Sequence, residues 1–230
     1  MRVALCLSGQ ARFLETCYHE SMKPNIIDVY HPDVFIHTWD PTDNIGKPFI
    51  NGGGFAMGDP IGSTLIDDML TLYNPLKVVV EPQVSFEYGK WANRLMSGIR
   101  SDHLYSMFYS VQKANELKKQ TELEGDFKYD WVIRIRFDMA LPGGIPQLSS
   151  LDSSKLWVAN GCFDTTNGYL DSFGYSSSEI MDVYANIYNS IDHIADNNPD
   201  MNICGEYILR KYIDGHNIEV SQIGSHKAYR

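Results

Sequence analysis

Paired or clustered cysteines are missing from this 230-residue chain: its four, Cys6, Cys17, Cys162 and Cys204, are scattered, with no Cys-x-x-Cys among them. Cys6 lies inside an apolar run, so the set reads as reduced, buried thiols rather than as disulfides or a zinc site. Seven histidines occur without His-x-x-x-His or His-Glu-x-x-His spacing, which removes the usual zinc arrangements. Gly-x-Ser-x-Gly is absent, and with it the nucleophile elbow of serine hydrolases. Neither Gly-x-Gly-x-x-Gly nor a phosphate loop ending in Gly-Lys-Ser/Thr occurs, which disfavours dinucleotide binding and Walker-type ATP hydrolysis. No apolar run reaches the length of a membrane span, and the one in Met1 to Gly9 is too short for a signal peptide. The expectation is a soluble, intracellular chain, cytoplasmic in location. Positive charge is in deficit as well. A formal charge of -10 repels polyanions at long range, so nucleic acid and anionic membrane surfaces are poor primary partners. Any phosphate must be held by local arginines.

What is present is an apolar content of 43%, enough for a packed core, and a pattern of alternating elements without repeats, low-complexity tracts or a linker. Val3 to Leu7 is a short continuous apolar run, the pattern of a strand covered on both faces. A helical segment, about Arg12 to Tyr30, follows with an expected break near Pro24. Asp33 to Trp39 reads as a second strand, and Asn51-Gly52-Gly53-Gly54 sits in a long polar loop. Ser63 is a candidate N-cap for a helix over Thr64 to Tyr73, and Lys77 to Glu81 makes a third strand. A long helix spans about Asn93 to Glu122, a strand runs from Tyr129, and another covers Lys155 to Ala159. Helices at about Ser177 to Ala195 and Asn202 to Ile213 precede a late strand, Ile218 to Gln222. Strands alternating with helices imply one α/β domain over 1–230, built on an open, mostly parallel twisted sheet flanked by helices.

The segment Tyr129 to Asp138, Tyr-Asp-Trp-Val-Ile-Arg-Ile-Arg-Phe-Asp, carries the most information. Side chains alternate along a strand, so Trp131, Ile133, Ile135 and Phe137 share one face while Val132, Arg134, Arg136 and Asp138 share the other. Two fixed cations and a carboxylate thus stand in a row, about 6 to 7 Å between neighbours at ordinary strand rise. If that face is buried it demands anionic partners, which a phosphate-bearing ligand would supply. The same alternation also fits a solvated antiparallel edge strand. Position favours the first reading, because a Gly/Pro loop, Pro142-Gly143-Gly144, follows at the end where α/β sheets present ligands.

Two further strand ends bear on the same chemistry. The first turn, Ser8-Gly9-Gln10-Ala11-Arg12, leads from a strand into a helix, and free N–H groups there with a nearby arginine suit a nucleotide diphosphate; an ordinary β-to-α turn has the same glycine. His37-Thr38-Trp39-Asp40 ends the second strand and places an indole where a base or sugar ring could stack, or where a core tryptophan could sit beside a satisfied histidine.

Taken in order, Leu-Ser-Gly-Gln-Ala-Arg, His-Thr-Trp-Asp, Ser110-Val111-Gln112-Lys113-Ala114-Asn115, the Tyr129 to Asp138 strand, Leu170-Asp171-Ser172-Phe173-Gly174-Tyr175 and Gly205-Glu206-Tyr207 give a chain that resembles small viral and bacterial glycosyltransferases of the GT-A fold. The resemblance covers most of the chain and implies a Rossmann-like sheet with a nucleotide-binding part over about 1–140 and an acceptor-side part over about 141–230. It implies transfer of a sugar, a hexose or deoxyhexose, from a nucleoside-diphosphate donor to a hydroxyl of a glycan acceptor. Carried onto this chain, Ser8, Gly9, Gln10 and Arg12 would hold the nucleotide and its diphosphate, with Gln112 and Lys113 approaching from the helix. Asp138 would fall at the last carboxylate of the Asp-x-Asp motif that binds Mn²⁺ or Mg²⁺. Here the chain departs from the pattern, since Arg136 stands where the first acid is usual, and one carboxylate holds a hard divalent ion less well than two. Arg134 and Arg136 are fixed cations that could neutralise the leaving diphosphate instead. For a proton-accepting base Asp171 comes first and Glu206 second; each also reads as an ordinary turn or solvated helix residue. A non-catalytic nucleotide- or glycan-binding module on the same sheet is the alternative, and a nucleotidyltransferase a third reading that lacks an assignable carboxylate pair.

Overall fold

The apolar run of the amino terminus becomes the middle of a sheet: Val3–Ser8 (β1) is buried along its whole length. The computed structural model describes residues 1–50, 56–96, 99–160, 168–225 and 227–228, so the polar Asn51-Gly52-Gly53-Gly54 loop and Cys162 lie outside the described residues. The remaining strands are Asp33–Trp39 (β2), Pro48–Ile50 (β3), Ala56–Pro60 (β4), Lys77–Glu81 (β5), Trp131–Arg136 (β6), Met139–Ala140 (β7), Leu156–Asn160 (β8), Phe173–Ser176 (β9), Val220–Ser225 (β10) and Lys227–Ala228 (β11). Seven of them form one sheet in the order β10-β8-β9-β6-β1-β2-β5. β1 runs parallel to both β2 and β6, β2 parallel to β5, and β8 parallel to β10. The α/β class and the mostly parallel sheet expected from the sequence are therefore what forms. β9 is the exception. It lies antiparallel between β6 and β8, and its four buried residues, Phe-Gly-Tyr-Ser, are too few to show a period before the helix that follows.

The helices are Leu14–Cys17 (α1), Asp28–Tyr30 (α2), Leu65–Tyr73 (α3), Ser101–Gly125 (α4), Ser178–Ala185 (α5), Ile191–Asn197 (α6) and Gly205–Gly215 (α7). No break occurs at Pro24. Tyr18–Ile27 continues as a π-helix through it, and the wider turn moves aside the carbonyl that a proline ring strikes in an α-helix. Thr64, not Ser63, takes the cap position of α3, and its hydroxyl donates to Asp68 Oδ2 at 2.8 Å. α4 begins at Ser101 instead of Asn93. The guanidinium of Arg94 donates to the carbonyls of Ala195 and Asn198 at 2.7 Å each, holding Lys90–Arg94 as a short 3-10 turn against the end of α6. No helix among the described residues is long and apolar enough to cross a membrane.

Alternation along β6 sorts its side chains into two apolar layers. Trp131, Ile133, Ile135 and Phe137 join Leu5, Leu7, Ile36, Met22 and Met69 on one side of the sheet. Val132 joins Cys6, Phe35, Phe108, Val111, Tyr184 and Leu209 on the other, beneath α4, α5 and α7. Arg134 points into this second layer, which is why it is sealed from solvent at 2% exposure.

One buried charge knot ties the helices of that layer together. Lys118 is fully buried and its ammonium donates to Glu122 Oε2 (3.1 Å), Ser178 Oγ (2.5 Å) and Asp182 Oδ1 (2.8 Å). Glu122 in turn accepts the backbone N–H of Tyr129 at 3.0 Å, so the knot also holds the lead into β6. Removing Lys118 leaves buried Glu122 with only the exposed Lys128, 2.9 Å away, as its cation. Lys118→Met is expected to cost about 3 to 5 kcal/mol in a denaturant titration, and a loss below about 1 kcal/mol would show that the knot does not hold α4 to α5.

Candidate active site

Strands β1, β2, β5 and β6 run in one direction, so their carboxyl ends share one edge of the sheet. At that edge β1 turns sharply at Gly9, whose φ of +98° is strained for any residue with a Cβ. Its N–H donates to Ser110 Oγ of α4 at 2.7 Å and to the carbonyl of His37 at 3.2 Å, which fixes the turn from both sides. His37 is itself fully buried, with Nδ1 2.7 Å from Ser110 Oγ and Nε2 2.9 Å from Glu81 Oε1. Burial lowers its pKa and Glu81 only partly opposes this, so the imidazole is neutral at pH 7. Ser, His and Glu lie in a string, but Ser110 is fully buried and engaged by the Gly9 N–H, so the string is a brace and not a nucleophile.

Ser8 pairs in register with Arg136, which brings the Gly9 turn beside the end of β6. Arg136 grips Asp138 with both prongs of its fork, Nε to Oδ1 at 2.8 Å and Nη2 to Oδ2 at 2.7 Å. Arg12 reaches across from the first turn and places Nη2 2.7 Å from the same Oδ2. Two guanidiniums against one carboxylate leave a positive charge in excess. Exposure is graded: the Asp138 side chain is 1% exposed, Arg12 15% and Arg136 26%, so the cations stand between the carboxylate and solvent. Burial would push the Asp138 carboxyl up, but the charges of Arg136 and Arg12 and the hydrogen bond from Arg136 outweigh it and hold the pKa below the ordinary range.

Asp171 approaches from the segment before β9. Its carboxylate rests on Gly205, the first residue of α7, where a Cβ would strike Asp171 Oδ2 and come within 3.0 Å of Met107. Burial first, and then the charge of neighbouring Glu206, raise its pKa to about 7 against the opposing pull of Arg136 and Arg134. Glu206 is held beside it, its carbonyl accepting the N–H of Tyr169 at 3.1 Å. α4 closes the site from above. Met107 meets Gly205, Ser110 meets Gly9, and half-buried His103 lies within electrostatic reach of Arg12, its pKa lowered by burial and by Arg100 and Arg12. His103, Met107 and Ser110 form an i, i+4, i+7 stripe, a signal the sequence carries but that only the packing of α4 over the edge turns into a site.

Of the residues singled out from sequence, Arg12, Arg136, Asp138, Asp171 and Glu206 are brought together, over a floor made by buried Ser8 and by Gly9, with Gln10 exposed beside them. Arg134 is a correction. It shares a strand face with Arg136, yet Tyr184 and Met181 of α5 cover the sheet at its depth, and its Nη1 donates to the backbone carbonyl of Asp171. It steadies Asp171 from inside the core and does not face a ligand. Lys113 pairs with Glu116 at 2.9 Å and lies over the ring of Tyr109, and no described contact joins it or Gln112 to the arginine pair. The Trp39 indole does not offer a free stacking face, because it is 6% exposed and stacked on Tyr109 at 5.7 Å. Asp138 does not fit a divalent ion, since three N–H groups from two guanidiniums already occupy both its oxygens.

No family model and no curated protein matches the chain. The site is read from its own geometry.

The raised pKa of Asp171 has a sign that stability measurements can read. Its folded value lies above the usual carboxylate value, so the folded state holds an extra proton between about pH 4 and 7 and stability falls as pH rises through that window. Asp171→Asn, which stays neutral, is expected to lose this fall, gaining on the parent by an amount on the order of 1 to 3 kcal/mol between pH 4.5 and 8. Parallel stability-against-pH curves for the two proteins would contradict the assignment.

Proposed function

We propose that this chain is a glycosyltransferase of the GT-A kind, moving a hexosyl or deoxyhexosyl group from a nucleoside-diphosphate donor to a hydroxyl of a glycan acceptor. The observation that carries this reading is the pair of guanidiniums at the carboxyl edge of the parallel sheet, set beside a carboxyl group whose pKa is about 7. Sugar transfer from such a donor breaks the bond between the anomeric carbon and the diphosphate oxygen, and negative charge grows on the leaving group. Fixed cations placed at that oxygen stabilise the transition state without reorganising. Arg12 and Arg136 supply them, both partly open to solvent. The new bond forms to the acceptor oxygen, whose proton must leave as it attacks. Asp171 takes that proton in our reading, and a base with pKa near 7 has the balance of basicity and availability that such a transfer wants. Glu206 acts through Asp171 by raising its basicity, and the Arg134 contact to the Asp171 backbone holds it in place.

A panel of nucleotide sugars with simple glycan acceptors, read by release of nucleoside diphosphate, tests this. With an active donor, kcat/KM is expected to rise with pH through about 7 as Asp171 loses its proton. Asp171→Asn is expected to lower kcat by about 10²- to 10⁴-fold while nucleotide still binds. An undiminished rate in that variant would remove Asp171 as the base. Binding without release from any donor would point to a non-catalytic module, and release of inorganic pyrophosphate from a nucleoside triphosphate to a nucleotidyltransferase.

A further inference from the structure

We infer that the donor site takes its diphosphate without a divalent metal ion, Arg12 and Arg136 replacing the ion and Asp138 serving to position them. This rests on the donor-site reading above and adds to it the chemistry by which the diphosphate is held.

The lone pairs of Asp138 are already engaged. A hard divalent ion needs oxygen ligands with free lone pairs at close range, and usually more than one anionic ligand from the protein. Asp138 Oδ1 accepts from Arg136 Nε, and Oδ2 accepts from Arg136 Nη2 and Arg12 Nη2, at 2.7 to 2.8 Å. An ion on either oxygen would have to displace a guanidinium and then sit beside two of them in a poorly solvated place, where like charges repel strongly. The strand itself offers no second carboxylate to offset this, because residue 136 is the arginine, and the charges of Asp171 and Glu206 already act on that arginine.

The same geometry suits an anion from the other side. Asp138 is sealed beneath the guanidiniums, which keep their outer edges toward solvent. Arg12 Nε is buried and its Nη1 donates to Met57 Sδ at 3.3 Å, so the more exposed Arg136 offers an anion its first contact. A guanidinium fork matches two oxygens of a phosphate as well as it matches a carboxylate, which a point-charge ammonium does not. A buried carboxylate shared by two arginines therefore acts as a spacer: it offsets their mutual repulsion and holds both cationic side chains at the edge of the site.

Calorimetric titration of the full chain with UDP, GDP and CDP, once in excess EDTA and once in Mn²⁺, separates the possibilities. The expected result is that at least one nucleotide binds with a dissociation constant that changes by less than about threefold between the two buffers. Arg12→Ala and Arg136→Lys are each expected to weaken it by about tenfold or more, the loss of a charge-assisted or bidentate contact. Binding that appears only with Mn²⁺ and is abolished by EDTA would overturn the inference while leaving the donor site in place. Failure of all three nucleotides to bind in either buffer, with the protein shown to be folded, would sink the donor-site reading and this inference with it. The chelator comparison uses the unaltered protein, so it decides the matter even if a variant does not fold.

Discussion

A carboxylate shared between two arginines is the constraint around which the sheet edge is arranged. Asp138 is buried, and a buried carboxylate is tolerated only with compensating charge. Arg136 comes from its own strand end, but Arg12 belongs to the first turn of the chain, so the interaction needs β1 and β6 to be neighbours in a fixed register. It also needs the Gly9 turn to be rigid, which the Ser110 and His37 contacts provide. In this way a fully buried, neutral histidine helps to fix the edge.

The second constraint is the close approach of Asp171 to the start of α7. Gly205 has no side chain to hold the carboxylate away, and Glu206 follows at once with a like charge. A helix start favours negative charge, yet burial and Glu206 prevail and keep the group protonated to near pH 7. One end of the site is thus cationic through the neutral range and the other titrates within it. That division suits a reaction in which one partner leaves as an anion while the other gives up a proton.

Much of this was legible in the chain itself. The alternation along β6 placed Trp131, Ile133, Ile135 and Phe137 in one layer and put Arg136 and Asp138 on the opposite side, as they are found. Strand-helix alternation implied the mostly parallel sheet. What stayed hidden depends on contacts between distant segments. Nothing local in Phe173–Ser176 announces an antiparallel strand wedged between β6 and β8. Arg134 and Arg136 look equivalent by period, and only the packing of α5 over one of them makes the first a core residue and leaves the second partly open to solvent. The π-helical turn through Pro24 defeats a rule that holds for α-helices. His103 gained its place from α4 crossing the edge, and Trp39 lost its stacking face to Tyr109 for the same reason.

Arg12 and Arg136, held by Asp138, are proposed as the seat of a diphosphate. A crystal structure of the protein with a bound nucleoside diphosphate, grown in chelator, tests it most directly. Phosphate oxygens are expected within hydrogen-bond distance of both guanidiniums with Asp138 still beneath them; a nucleotide seated elsewhere, or both arginines turned away from the phosphates, would rule the seat out.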